Sequence, residues 1–166
     1  YHFFRPRVDA KTQANYFSSY VKGKSFNCRL ALDIELSDGY GAAEISNMCV
    51  TFLEEVKRLT GKDVVVYKYT NFARTSITNI LSKYLLWIAN YDVTTPGDNP
   101  IWNSWVGFQY SESGTVPGIS GYCPLDVFTD GILISGGNTS IPNINQGGTT
   151  TTYTVKEGDT LSEIAQ

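Results

Sequence analysis

Apolar residues are distributed along the chain in two alternating patterns. In the first they form short contiguous runs, rich in β-branched and aromatic side chains, which read as strands buried on both faces. These runs lie at 1–4, about 28–36, 64–67, 85–91, 105–110 and about 125–128, with Pro124 expected at or before the start of the last. In the second pattern apolar residues recur three and four apart, the period of a helix with one buried face. Residues 8–22 form such a helix, with Asp9 as N-cap, a stripe of Ala10, Ala14, Phe17 and Val21, and Gly23 at the exit. The clearest period places Ile45, Met48, Cys49, Phe52, Leu53, Val56 and Leu59 on one face, and Asn47, Glu54, Glu55 and Arg58 on the other. Gly61 stands where a left-handed C-terminal residue is wanted. Glu54 and Arg58 are four apart and read as a solvated ion pair. A shorter helix is predicted over about 72–83, and Ser37-Asp38-Gly39 is a turn.

The predicted order is strand, helix, strand, helix, strand, helix, and then three strands. Alternation of this kind implies a parallel sheet with right-handed crossovers. Strands apolar on both faces fit a barrel or a doubly wound sheet. No glycine-rich phosphate loop follows any strand, which counts against nucleotide binding. From 135 to 152 the composition changes to Gly136-Gly137-Asn138, Gly147-Gly148 and a threonine run, the signature of a flexible linker. Residues 153–166 then read as a short strand, a Gly158-Asp159 turn and the start of a helix, too few to build a core. Both ends read as cut, the first inside a strand and the last inside a helix.

The 166 residues suffice for one sizeable core, and the net charge of −3 with no basic stripe argues against nucleic acid as a partner. No apolar run reaches membrane-spanning length. Cys28, Cys49 and Cys123 are odd in number, widely spaced and without a CxxC pair, so three buried thiols are expected rather than a disulfide framework or a zinc site. A single histidine excludes a His-rich metal site, and His2 reads as structural.

Two carboxylates change the picture. Asp33 and Glu35 interrupt the apolar run Leu30-Ala31-Leu32-Asp33-Ile34-Glu35-Leu36. Period-two alternation puts both on one face, with Cα atoms about 6.6 Å apart. An acid on a buried strand is costly unless paired or used, and no cation is expected nearby on a neighbouring strand. Glycosidic bond cleavage commonly uses two carboxyl groups, one of them a general acid, and barrels place such groups at the C-terminal ends of strands. Glu35, nearer the strand end, is the candidate acid. Asp33, deeper, can orient it, raise its pKa by like-charge repulsion or meet the substrate. Tyr67, Trp87, Tyr91, Trp102, Trp105 and Tyr110 lie on or just past strand ends, where rings can stack on sugars. Trp87 and Trp105 are expected in the core, and Tyr67 and Tyr91 at the substrate. Gln109, mid-strand, needs hydrogen-bond partners if it points inward.

The segments Tyr1-His2-Phe3, Ala31-Leu32-Asp33-Ile34-Glu35, Val66-Tyr67 with Phe72, Leu86-Trp87-Ile88-Ala89-Asn90-Tyr91, Phe108-Gln109-Tyr110-Ser111 with Gly114, and Leu125-Asp126-Val127-Phe128 together resemble glycoside hydrolase family 25, the lysozymes of phage endolysins and bacterial autolysins. The resemblance covers 1–134. It implies an α/β fold, an incomplete irregular (β/α) barrel of TIM type comprising strands three to eight of the family barrel. It implies N-acetylmuramidase activity on the β-1,4 bond between N-acetylmuramic acid and N-acetylglucosamine, no metal cofactor, peptidoglycan glycan strands as partner, and action at the bacterial cell wall. Neither a membrane nor a protein partner is implied. Glu35 falls on the family's general acid, and Asp33 on another active-site acid that assists the substrate's acetamido group. A further family aspartate, on the last strand, falls on Pro124; Asp126, two places later and facing the same way, is carried as its candidate substitute. The family's first-strand aspartate has no counterpart here. Without two strands the barrel cannot close, and an open barrel of this kind is expected to be weakly active or inactive. The tail from Tyr153 to Ala165 resembles the start of a lysin motif, a module that binds N-acetylglucosamine-containing glycans. A non-catalytic wall-binding protein is the alternative reading, and a chitinase-like glycosidase a more distant one.

Overall fold

The computed structural model describes residues 1–134; the linker and lysin-motif expectations, on 135–152 and 153–166, lie outside the described residues. The elements are β1 (His2–Phe3), α1 (Ala10–Val21), β2 (Leu30–Asp33), α2 (Ala42–Thr60), β3 (Val64–Tyr69), α3 (Thr70–Thr75), β4 (Leu85–Ala89), β5 (Gly107–Gly114) and β6 (Cys123–Phe128), with 3-10 turns at Asn79–Lys83 and Asp130–Ile132. The strands form one six-stranded sheet in chain order. β1 to β5 run parallel and β6 returns antiparallel beside β5. Each strand–helix unit thus lays its strand next to the previous one, and the sheet curls into an open half-barrel with β1 and β6 at its edges.

Local chemistry fixes the helix ends. Asp9 caps α1 through the Thr12 N–H, which donates to Asp9 Oδ1 at 2.8 Å. Buried Gln13 ties α1 to the loop before it: its Oε1 accepts from the Arg5 N–H at 2.9 Å, and its Nε2 donates to the Arg5 and Val8 carbonyls at 3.0 and 2.9 Å. At the start of α2 the Gly41 N–H donates to Glu44 Oε2 at 2.9 Å. Gly61 ends α2 with φ +66°, the left-handed conformation glycine adopts without strain.

The two faces of the sheet bury different things. Toward the helices, Leu30, Leu32, Ile34, Val64, Val66, Leu86, Ile88 and Phe108 pack on Ala14 and Phe17 of α1 and on Ile45, Cys49, Phe52, Leu53 and Val56 of α2. Each such side chain contributes about 1.5–3 kcal/mol on burial, so this outer layer holds the fold. The concave face carries only a small cluster of Ala31, Val65, Val106 and Ile132, bordered by Leu85 and Trp87.

Several sequence expectations change in detail. β2 stops at Asp33, and Cys28 makes only an isolated bridge to Leu133. The helix expected over 72–83 breaks after Thr75, where buried Ile77 turns into the core and the Thr78 N–H donates to Ser46 Oγ at 2.8 Å. Pro124 lies inside β6 rather than before it, at an edge where the register with β5 slips between Ser111 and Gly114. Proline is tolerated at such an irregular edge. Arg58 pairs with Glu55, at 2.7 Å, not with Glu54, which instead meets Lys83 at 3.1 Å. Leu59 is exposed on α2. Only Cys49 is buried; Cys28 is exposed and Cys123 half-buried, and all three are free thiols.

Candidate active site

The carboxyl pair sits at the C-terminal end of β2. Asp33 is the last residue of the strand and is buried, while Glu35 follows on the exiting chain, half-buried. Parity keeps Asp33 on the concave face with Ala31, away from the helix layer that takes Leu32 and Ile34. Asp33 is pushed up to about 7, first by burial and then by the neighbouring Glu35 carboxyl. Its Oδ1 is buried without a hydrogen-bond partner. A carboxyl titrating near neutrality beside a second carboxyl is a proton-handling arrangement.

The neighbouring strands supply an aromatic and amide floor. Tyr67 on β3 stands directly opposite Asp33 in the parallel register. Its hydroxyl donates to Gln109 Oε1 at 2.8 Å, and the Tyr91 hydroxyl donates to the same oxygen at 2.8 Å. Burial raises both phenols, Tyr67 the more strongly, so both stay protonated donors. Gln109 thereby finds the partners its mid-strand position demands. Its other end bonds the carboxyl of Asp126, its register partner on β6. Asp126 also accepts from Trp87 Nε1 at 2.7 Å; burial pushes this carboxyl up, and the two hydrogen bonds hold it back.

Trp87 is not the core residue expected. It is half-buried on the concave face, edge-on to Tyr67 with centroids 4.9 Å apart, and to Phe128 at 5.1 Å. Gly107, opposite it in register, leaves room for the ring: a Cβ there would fall 2.6 Å from Trp87 Cδ1 and from Phe128 Cε1. Trp102 is the tryptophan that is buried, with Nε1 donating to the Tyr84 carbonyl at 2.8 Å. Trp105 is partly buried against the main core, and Tyr110 is exposed beside Phe108. His2 lies on the helix side, stacked on Phe52 at 5.1 Å and bonded to Gln13 Oε1 at 3.0 Å.

Asp33, Glu35, Tyr67, Tyr91, Gln109 and Asp126 therefore share one concave neighbourhood, in which Gln109 accepts from both Tyr67 and Tyr91. The ion pairs found among the described residues are Arg29–Asp63, Arg58–Glu55 and Lys83–Glu54, so no salt bridge locks Asp33 or Glu35. The expectation that no cation lies on a neighbouring strand is corrected by Lys68 on β3, fully buried and close enough for its charge to act on Asp33. Trp87 and Lys68 are the two residues that sequence reasoning missed. Their signal was parity: Trp87 shares the face of Tyr67 and Gln109, and Lys68 continues the Val64, Val66 row.

The family described as Glycosyl hydrolases family 25 matches residues 1–119. The autolytic lysozyme of Clostridium acetobutylicum is 38% identical over 148 residues, covering 89% of this chain and 44% of that protein. Among solved structures, the CTP1L endolysin is 31% identical with a TM-score of 0.61, covering 74% of this chain and 42% of that one. The spore cortex lytic enzyme SleM of Clostridium perfringens shares the fold, with a TM-score of 0.71 at 21% identity over 80% of this chain and 50% of that one. The chain spans about half the length of the curated relatives it matches.

Proposed function

The chain belongs to glycosyl hydrolase family 25, and from that membership we propose that its concave site serves N-acetylmuramidase chemistry, hydrolysis of the β-1,4 bond between N-acetylmuramic acid and N-acetylglucosamine in peptidoglycan. The observation that carries the proposal is the Asp33–Glu35 pair at the C-terminal end of β2, where burial and the Glu35 carboxyl push Asp33 up to about 7.

In this reading Glu35, the more accessible carboxyl, gives its proton to the departing glycosidic oxygen. As the C1–O bond breaks, the oxygen of the substrate's own acetamido group closes on C1, with Asp33 behind Glu35 steadying that group; water then attacks C1, reopens the ring and returns its proton to the Glu35 carboxylate. Tyr67, Tyr91 and Gln109 hold the sugar's polar groups, and Trp87 lies beneath them as an apolar platform. Asp126 anchors Gln109 and stands in for the carboxyl missing at Pro124. The domain plan consistent with this activity is a catalytic portion over 1–134, a linker over 135–152 and the beginning of a glycan-binding lysin motif over 153–166, acting together at the bacterial cell wall.

The test is reducing-end release from purified peptidoglycan by this chain and by a version extended to the length of its relatives. Glu35→Gln should lower release at least ~100-fold, the usual worth of a positioned acid. Undiminished release by Glu35→Gln rejects Glu35 as the acid. Pro124 favours a second reading, a wall-glycan binder without catalysis; retention on peptidoglycan with no release by the extended protein would establish it.

A further inference from the structure

Lys68 is a charged group for which the chemistry above has no use. Its side chain is completely buried, and its Nζ has no hydrogen-bond partner. An ammonium in that state is among the costliest groups a fold can hold. What surrounds it is specific. The Phe72 ring from α3 lies 4.5 Å from Nζ. From α2 comes Cys49, whose thiol burial pushes up to about 12, so it stays neutral and provides no counter-charge. From the end of β2 comes Asp33, and from the chain just beyond it Glu35, whose charges both favour the ammonium. The backbone explains the approach. Asp33 is the register partner of Tyr67, and the Ile34 N–H donates to the Tyr67 carbonyl at 3.2 Å, so Lys68 stands one residue past that pair on the helix side of the sheet.

The anions placed to answer this buried cation are therefore those at the end of β2, reached through the sheet rather than by a salt bridge. We propose that Lys68 is a positioning residue for the carboxyl pair: locked behind the sheet with no acceptor of its own, it holds negative charge on Asp33 at the end of β2. Without the cation, burial and the Glu35 carboxyl would keep Asp33 protonated to higher pH. Burial holds the ammonium itself down to about 8, above the value of about 7 for Asp33. The other groups facing the pair are the Tyr67 phenol, protonated throughout, and the α-amino group of Tyr1, which burial lowers and Asp33 raises.

The role in catalysis rests on the muramidase reading, but the coupling can be read without turnover. In the chain as it stands, carboxyl 13C titration of Asp33 should shift upward by roughly half a pH unit or more in Lys68→Met, the direction set by losing a cation that holds it down. The Tyr1 amine is followed separately by its 15N signal. An unmoved Asp33 midpoint in a folded Lys68→Met protein overturns the proposal. Should that variant not fold, Asp33→Asn carries the same test in reverse. Because coupling is reciprocal, the Lys68 Nζ midpoint should fall by a similar amount, and an unchanged midpoint overturns the proposal equally. A carboxyl shift of the expected size, found together with no peptidoglycan cleavage, would support the electrostatic role of Lys68 while rejecting the muramidase reading.

Discussion

Replacing Asp33 by asparagine should make the fold more stable at neutral pH, and the size of the gain follows from its surroundings. The carboxyl titrates at about 7 in the fold against an ordinary value of 3.8. A raised carboxyl binds its proton more tightly folded than unfolded. Its contribution to stability is therefore complete below about 3.8 and is lost as pH rises through about 7. The difference of about three units corresponds to at most about 4 kcal/mol. Near pH 5–6 the slope from this one group approaches about 1.4 kcal/mol per pH unit. The assay is urea unfolding of both proteins at pH 4, 5, 6, 7 and 8. Subtracting the curves cancels the other acids, including Asp126, which shifts the same way, and Glu54 and Asp9, which shift oppositely. Asp33→Asn should gain on the wild type steadily from pH 4 to 7 and level off by pH 8. Parallel stability curves would refute the reasoning, because they would mean that Asp33 ionises in the fold as freely as in the unfolded chain.

Gln109→Leu leaves the Tyr67 and Tyr91 hydroxyls without their shared acceptor and should cost about 1–3 kcal/mol in urea unfolding; a cost below about 0.5 kcal/mol would show that water replaces the amide freely. Gly107→Ala should cost about 1–3 kcal/mol by overpacking and should disturb the Trp87 fluorescence, since the added methyl collides with Trp87 and Phe128. Iodoacetamide should modify exposed Cys28 first and Cys49 only on unfolding, as peptide mapping would show.

Much of the architecture was legible because the apolar spacing switches cleanly between contiguous runs and a helical period. The α2 stripe and the β-branched Val64-Val65-Val66 run leave little choice of element. The carboxyl pair was legible for the same reason: two acids on an apolar strand contradict their setting unless they are used. Trp87 was misassigned because burial and facing are separate questions. A tryptophan in an apolar run is compatible with either face, and only the alignment Tyr67↔Trp87↔Gly107 across three strands shows that it looks inward. Lys68 was passed over because one lysine in a strand ordinarily snorkels to water. That it cannot do so depends on α2 and α3 closing over it, a tertiary fact with no local signature. The breaks at Asp33 and at Thr75 were likewise set by what the chain meets next, Glu35 turning to the site and Ile77 to the core.

The oxygen of Gln109, on β5, receives one hydroxyl from β3 and another from the turn just past β4. Three stretches of backbone thus converge on a single planar amide. Any flattening or tightening of the sheet's curvature must stretch at least one of those links, so the amide acts as a gauge of the arc.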